Sequence, residues 1–138
     1  MQESRNVAAQ YWEALASMDA DAVAERFTPH ARFRFGNGRT LHGRAAIRRL
    51  FVELFARMAW IDRRNVVEWS QSTCVVDEVD LSFVFDDGRR LTIPVTTVFR
   101  ASGPQIEECR MSFYPEPALE SACCFLRNYY GVDAPNAA

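Results

Sequence analysis

The sequence predicts an α+β fold, with three N-terminal helical segments lying on one face of a strongly curved antiparallel sheet that closes into a cone. Three observations predict it. Up to about residue 58 apolar residues recur at helical spacing, with one short alternating stretch. From Trp60 onward the period changes to two. No helical pattern interrupts the later strands, so they form an antiparallel meander rather than helix-linked parallel strands. Long twisted strands curl, and helices on the concave side leave a mouth and an interior.

Val7, Tyr11, Leu15 and Met18 share one face of a first helix over residues 4 to 18, with Ala8 and Trp12 beside them. Asp19 or Asp21 caps a second, short helix that carries Val23 and Phe27 and stops before Pro29. Residues 31 to 35 alternate as a strand and end in the Gly36-Asn37-Gly38 turn. A third helix opens near Gly43 and buries Ile47, Leu50, Phe51, Leu54, Phe55 and Met58. Residues 60–70, 72–85, 90–100 and 105–114 read as four strands, with Asp87-Gly88 and Ser102-Gly103-Pro104 as hairpin turns. Pro94 inside the third of these favours a bulge or an unpaired position. Residues 116 to 130 read as a closing helix.

The chain of 138 residues, with 49% hydrophobic and 25% charged content and a net charge of -2, has an ordinary globular composition, and one domain spanning 1–138 accommodates it. All 16 basic residues are Arg. The lack of Lys excludes Schiff-base chemistry and the phosphate-binding lysine of a P-loop. Near-neutral charge with scattered Arg argues against nucleic acid. No apolar run reaches the ~18 residues of a membrane span, and the polar start shows no leader, so a cytoplasmic location is expected. Cys74, Cys109, Cys123 and Cys124 lack metal-ligand spacing and read as reduced thiols. His30 and His42 have no His or Cys partner at ligand spacing, and no metal or organic cofactor is expected.

The run Gln10-Tyr-Trp-Glu-Ala-Leu-Ala-Ser-Met-Asp-Ala-Asp21, then Phe27, Leu41-His-Gly-Arg44 and Thr97-Val-Phe-Arg100, resembles the nuclear-transport-factor-2-like (NTF2-like, cystatin-like) superfamily, and within it the SnoaL-like branch. The resemblance implies the cone and an enclosed hydrophobic pocket. It does not carry over an intact catalytic set. Where ketosteroid isomerases have their general-base Asp, oxyanion-holding Tyr and hydrogen-bonding Asp, this chain aligns Phe35, Phe51 and Thr97, and only the supporting Tyr, at Tyr11, matches. The last-strand Asp of polyketide cyclases and limonene-epoxide hydrolases aligns with Met111. The hydrolases' Arg-x-Asp pair aligns with Glu78-Val79-Asp80, and their water-positioning Tyr and Asn with Phe33 and Phe35.

On the strand 72–85, alternation puts Glu78 and Asp80 on one face and Val75, Val79, Leu81, Phe83 and Phe85 on the other. Alternation alone leaves open which face is inside. The parity of the superfamily turns Glu78 and Asp80 inward. Two carboxylates about 7 Å apart among aromatics would then split into one acid and one base. On that arrangement Asp80 carries general acid/base work, Glu78 tunes it and Tyr11 holds a substrate oxygen. Trp12, Phe33, Phe35, Phe51, Phe55, Thr97, Met111 and Phe113 line the substrate pocket. The Arg48-Arg49 and Arg63-Arg64 pairs fall on solvated faces.

The function expected is acid/base catalysis of isomerase, cyclase or epoxide-opening type on a small, apolar, oxygenated polyketide, terpenoid or steroid-like molecule. The alternative is a non-catalytic dimeric ligand-binding module of the same fold. With the carboxylates inside, the Val75–Phe85 face would be exposed and would be covered by a homodimer through the convex sheet face.

Overall fold

The computed structural model describes residues 2–36 and 38–113, so the expected closing helix 116–130, Tyr114, Cys123 and Cys124 lie outside the described residues. Helix α1 (Gln2–Ser17) buries Val7, Ala8, Tyr11, Trp12, Ala14 and Leu15. Helix α2 (Ala20–Ala24) is capped by Asp19, whose side chain accepts from the backbone N–H of Asp21 at 2.9 Å and of Ala22 at 3.2 Å. It ends earlier than the sequence suggests. Phe27 belongs to strand β1 (Phe27–Phe35), with Pro29 inside that strand. A two-residue strand, β2 (Leu41–His42), which the sequence pattern does not mark, precedes helix α3 (Arg44–Phe55). Met58 does not extend α3. It opens strand β3 (Met58–Gln71), followed by β4 (Cys74–Phe85), β5 (Arg90–Ser102) and β6 (Gln105–Ser112).

The strands form one open sheet in the order β2-β1-β6-β5-β4-β3. The meander from β3 to β6 is antiparallel, as its hairpins require. The sheet as a whole is mixed, because β1 pairs with β6 in parallel. No hairpin joins these two strands, so nothing local imposes opposite directions. Pro94 causes no bulge. It pairs in register with Asp80, and pairing with β6 begins only at Thr96. The bulge lies instead in β3, between Arg64 and Val67, where Asn65 takes a left-handed backbone conformation (φ 55°).

Helix α3 packs on β1 and β2 at one edge of the sheet and on β3 at the other, which requires the sheet to curve around it. Helix α1 covers β3, β4 and β5 from the same side. One cluster of buried apolar side chains draws on every one of these elements.

That arrangement decides the face of β4. Val75, Asp77, Val79, Leu81, Phe83 and Phe85 point inward and are buried, whereas Glu78 is exposed and Asp80 half-buried on the outer face. The inward carboxylates and the outward apolar face expected from the sequence are therefore both reversed. Burial of a Val, Leu or Phe side chain is worth about 1.5–3 kcal/mol each, so hiding five of them outweighs any gain from hiding two carboxylates. Leu81 is 1% exposed. Leu81→Arg would bury an unpaired charge, and it should abolish the cooperative thermal transition seen by circular dichroism. A well-folded Leu81→Arg protein with altered assembly only would contradict this placement.

Candidate active site

Six inward side chains of β4 include one ionisable group. Asp77 is 0% exposed. It lies in a row that crosses the sheet, formed by Glu68 on β3, Asp77, Thr97 on β5, Met111 on β6 and Phe35 on β1. Above the row, α1 places Trp12 so that its indole N–H donates to Asp77 Oδ2 at 2.7 Å. Arg63 reaches in from β3, with Nη1 3.9 Å from the same oxygen and its guanidinium 5.3 Å from the centre of the Trp12 ring. This is an electrostatic contact and a cation–π contact, not a hydrogen bond.

Burial pushes the Asp77 carboxyl up to about 6. The Trp12 hydrogen bond and the charge of Arg63 hold it from rising further, the nearby Thr97 hydroxyl adds to them, and Glu68 works with burial. Burial likewise lowers the Arg63 guanidinium from its ordinary value, which Asp77 partly opposes. Three buried side-chain atoms have no well-aligned hydrogen-bond partner among the described residues: Asp77 Oδ1, Thr97 Oγ1 and Arg63 Nη1. All three belong to this one cluster.

The surroundings are aromatic. Tyr11 meets Trp12 and Phe99 edge-on, each with centroids 5.2 Å apart, and Phe33 meets Phe51 at 5.4 Å. Phe51 leads on to Phe55 and Phe35 to Phe113. The residues expected to line a pocket, Trp12, Phe33, Phe35, Phe51, Phe55, Thr97, Met111 and Phe113, thus gather on the inner side, with Phe113 only half-buried. The Tyr11 hydroxyl donates to Met111 Sδ at 3.1 Å, and burial raises its pKa well above the ordinary phenol value. It is a protonated donor already engaged with the wall of the site.

The expected catalytic pair is not part of this cluster. Glu78 and Asp80 line a groove of about 700 Å³ on the outer face, together with Asn65, Pro94, Thr96 and Ser112. There the Asn65 amide donates to Asp80 Oδ2 at 2.7 Å. Arg63 is displaced in the opposite sense. Expected in solvent, it has a side chain only 23% exposed.

The SnoaL-like domain model matches residues 8–109, which include most of α1, Asp77 and Thr97. The chain belongs to the SnoaL-like family. Solved structures extend the likeness at the level of fold. A protein of Xanthomonas campestris pv. campestris assigned as a polyketide cyclase is 19% identical, with a TM-score of 0.74 over 82% of this chain and 91% of that one. An NTF2-like protein of Burkholderia pseudomallei is 16% identical, with a TM-score of 0.74 over 87% and 97%. An epoxide hydrolase/cyclase-like enzyme of pyran-ring formation in the polyether salinomycin is 20% identical, with a TM-score of 0.70 over 82% and 92%. No curated protein matches the chain in sequence. Among the described residues, no three His, Cys, Asp or Glu side chains gather as a metal-binding group.

In this SnoaL-like chain Asp77 is the candidate site residue that sequence reasoning missed, and the signal was present. It is the one charged member of the series 75, 77, 79, 81, 83 and 85. A carboxylate on the apolar face of a strand is costly unless it is paired and hydrogen-bonded, so its presence there is informative. Its ionisation gives a test. Folded Asp77 keeps its proton to about pH 6, whereas the unfolded chain loses it near 3.8. The cost to stability is therefore absent below the lower value, grows between the two and is complete above the upper, at about 3 kcal/mol. Asn cannot ionise. The unfolding free energy of Asp77→Asn relative to wild type should rise by about 2–3 kcal/mol between pH 4 and pH 7, measured by urea unfolding, and a flat or falling difference would contradict the burial of a titrating carboxyl.

Proposed function

We propose that this protein is an acid/base enzyme that needs no metal or organic cofactor for its proton transfers, and that it isomerises, cyclises or opens an epoxide in a small, apolar, oxygenated molecule of polyketide, terpenoid or steroid-like type. One observation carries the reading. A buried carboxyl pushed up to about 6 has one oxygen with no well-aligned partner among the described residues, in one cluster with the Thr97 hydroxyl and an Arg63 guanidinium N–H that likewise lack one. A group titrating near neutrality can both take and return a proton.

The roles follow from the partners. Asp77 Oδ1 is the base that accepts a substrate proton and later the acid that returns it. Trp12 fixes the other oxygen and so the direction of the free one. Arg63 Nη1 and the Thr97 hydroxyl donate to a substrate oxygen as it gains negative charge, where a low-dielectric setting makes such donors most effective. Phe33, Phe51, Phe99 and Met111 select an apolar skeleton. Arg63, partly exposed, links the buried row to solvent. Tyr11 supports the wall through Met111. Membership of the SnoaL-like family and the fold shared with proteins of cyclase and epoxide-opening type support the choice of chemistry.

A panel of terpene epoxides, β,γ-unsaturated cyclic ketones and linear β-diketones tests the reading. Turnover of one class is expected, rising with pH through about 6 and falling 10²–10⁴-fold in Asp77→Asn, the usual loss for a positioned acid or base. Asp80→Asn should stay within about threefold of wild type, since its carboxylate lies on the other face. Turnover that survives Asp77→Asn would contradict the role given to Asp77, and binding of the panel without turnover would favour the non-catalytic binding module.

A further inference from the structure

The buried side-chain atoms without a well-aligned partner share one requirement. Thr97 Oγ1 and Arg63 Nη1 are donors, and Asp77 Oδ1 becomes one when the carboxyl is protonated there. The Trp12 N–H already donates to Oδ2, which leaves Oδ1 as the oxygen that holds the proton. All three atoms then call for an acceptor, and one of them belongs to a cation. A carboxylate accepts several hydrogen bonds on its two oxygens, and its bonds to guanidinium groups are about twice as strong as those between neutral partners. A single ketone or ether oxygen leaves part of the set unfilled. Arg63 itself calls for an anion. Asp77 attracts it from 3.9 Å without a hydrogen bond, and burial still lowers its pKa although Asp77, Glu68 and Asp62 all act to raise it.

We infer that this interior site takes a small apolar carboxylic acid, bound as its anion by Arg63 and Thr97 together with one proton on Asp77. The inference rests on reading the Asp77 cluster as the ligand site, and not on turnover there. The row across the sheet supplies the rest of the fit. From Thr97 it continues to Met111 and Phe35, two strand spacings or about 10 Å. Phe113, half-buried, meets Phe35 at the far end with centroids 5.1 Å apart. A skeleton of that length lies on apolar side chains while its carboxylate sits at Thr97. With Asp77 ionised, two carboxylates would face each other, and Glu68, the cross-strand neighbour of Asp77, would add a third. The anion therefore enters with a proton. The other ionisable groups facing Asp77 are Tyr11 on α1 and Cys109 on β6, and burial raises both well above their ordinary values, so neither exchanges a proton near neutrality. The inner residues of β5 carry no ionisable side chain.

Calorimetric titration of the full chain with 4-phenylbutyrate, and with its neutral isostere 4-phenylbutyramide, tests the inference. At pH 6 the acid should bind about tenfold or more tighter than the amide. Its affinity should fall about fivefold or more between pH 6 and pH 7.5, with about half a proton or more taken up per molecule bound at pH 7, read from buffers of different ionisation enthalpy. Asp77→Asn should bind the acid equally at both pH values, because its amide N–H replaces the carboxyl donor and does not titrate. Arg63→Met keeps an apolar stem against Trp12 and removes the charge, and it should lose about tenfold in affinity. If either variant fails to melt cooperatively, proton uptake by the wild type decides alone. Equal binding of acid and amide, acid binding without proton uptake, or no binding of the acid would overturn the inference. Acid binding with proton uptake, in a protein that turns over none of the proposed substrates, would uphold it while favouring the binding module. Turnover through Asp77 without acid binding would leave the catalytic reading standing and overturn this one.

Discussion

The hydrogen bond from the Trp12 indole to Asp77 joins the first helix to the middle of the sheet, and the chemistry of the interior depends on it. Without a donor at that place, β4 could not bury a carboxylate among Val75, Val79 and Leu81 at tolerable cost. With it, Asp77 is neither fully paired nor expelled. Arg63 stands at 3.9 Å, near enough to favour the anion and too far to hold it by a hydrogen bond. A closer, bidentate Arg would fix the carboxylate as a structural anion and lower its pKa. No cation at all would leave it protonated. The intermediate arrangement is what places its ionisation near neutrality.

The apolar patterning of the chain showed most of the fold. The change of period at Trp60 and the turns at Asp87-Gly88 and Ser102-Gly103 placed the meander to within a few residues. What the pattern could not show was tertiary in origin. Phe27 has the spacing of a helix but is claimed by β1, which pairs with β6 far along the chain. The bulge at Asn65 shifts the parity of β3, so that Arg63 and Glu68, an odd number of residues apart, both face Asp77.

The site was legible only in part. Tyr11, Thr97, Met111 and the Phe cluster follow from the superfamily resemblance and Trp12 from the helical pattern, and the structure places them on the inner side. The resemblance points to Glu78 and Asp80, whereas the buried carboxylate of β4 is Asp77. The family parity was read onto Glu78 and Asp80, although the five apolar neighbours of Asp77 on β4 already said which face is buried. Burial energy is the stronger guide where a short motif and a hydrophobic series disagree.

Carboxyl carbon NMR on protein labelled at aspartate measures the ionisation of Asp77 directly, with Asp77→Asn to assign the signal. A single buried resonance titrating near pH 6 is the expected result. An Asp77 carboxyl that titrates at about 4, as an ordinary solvated aspartate does, would contradict a buried proton-transfer group at the centre of this fold.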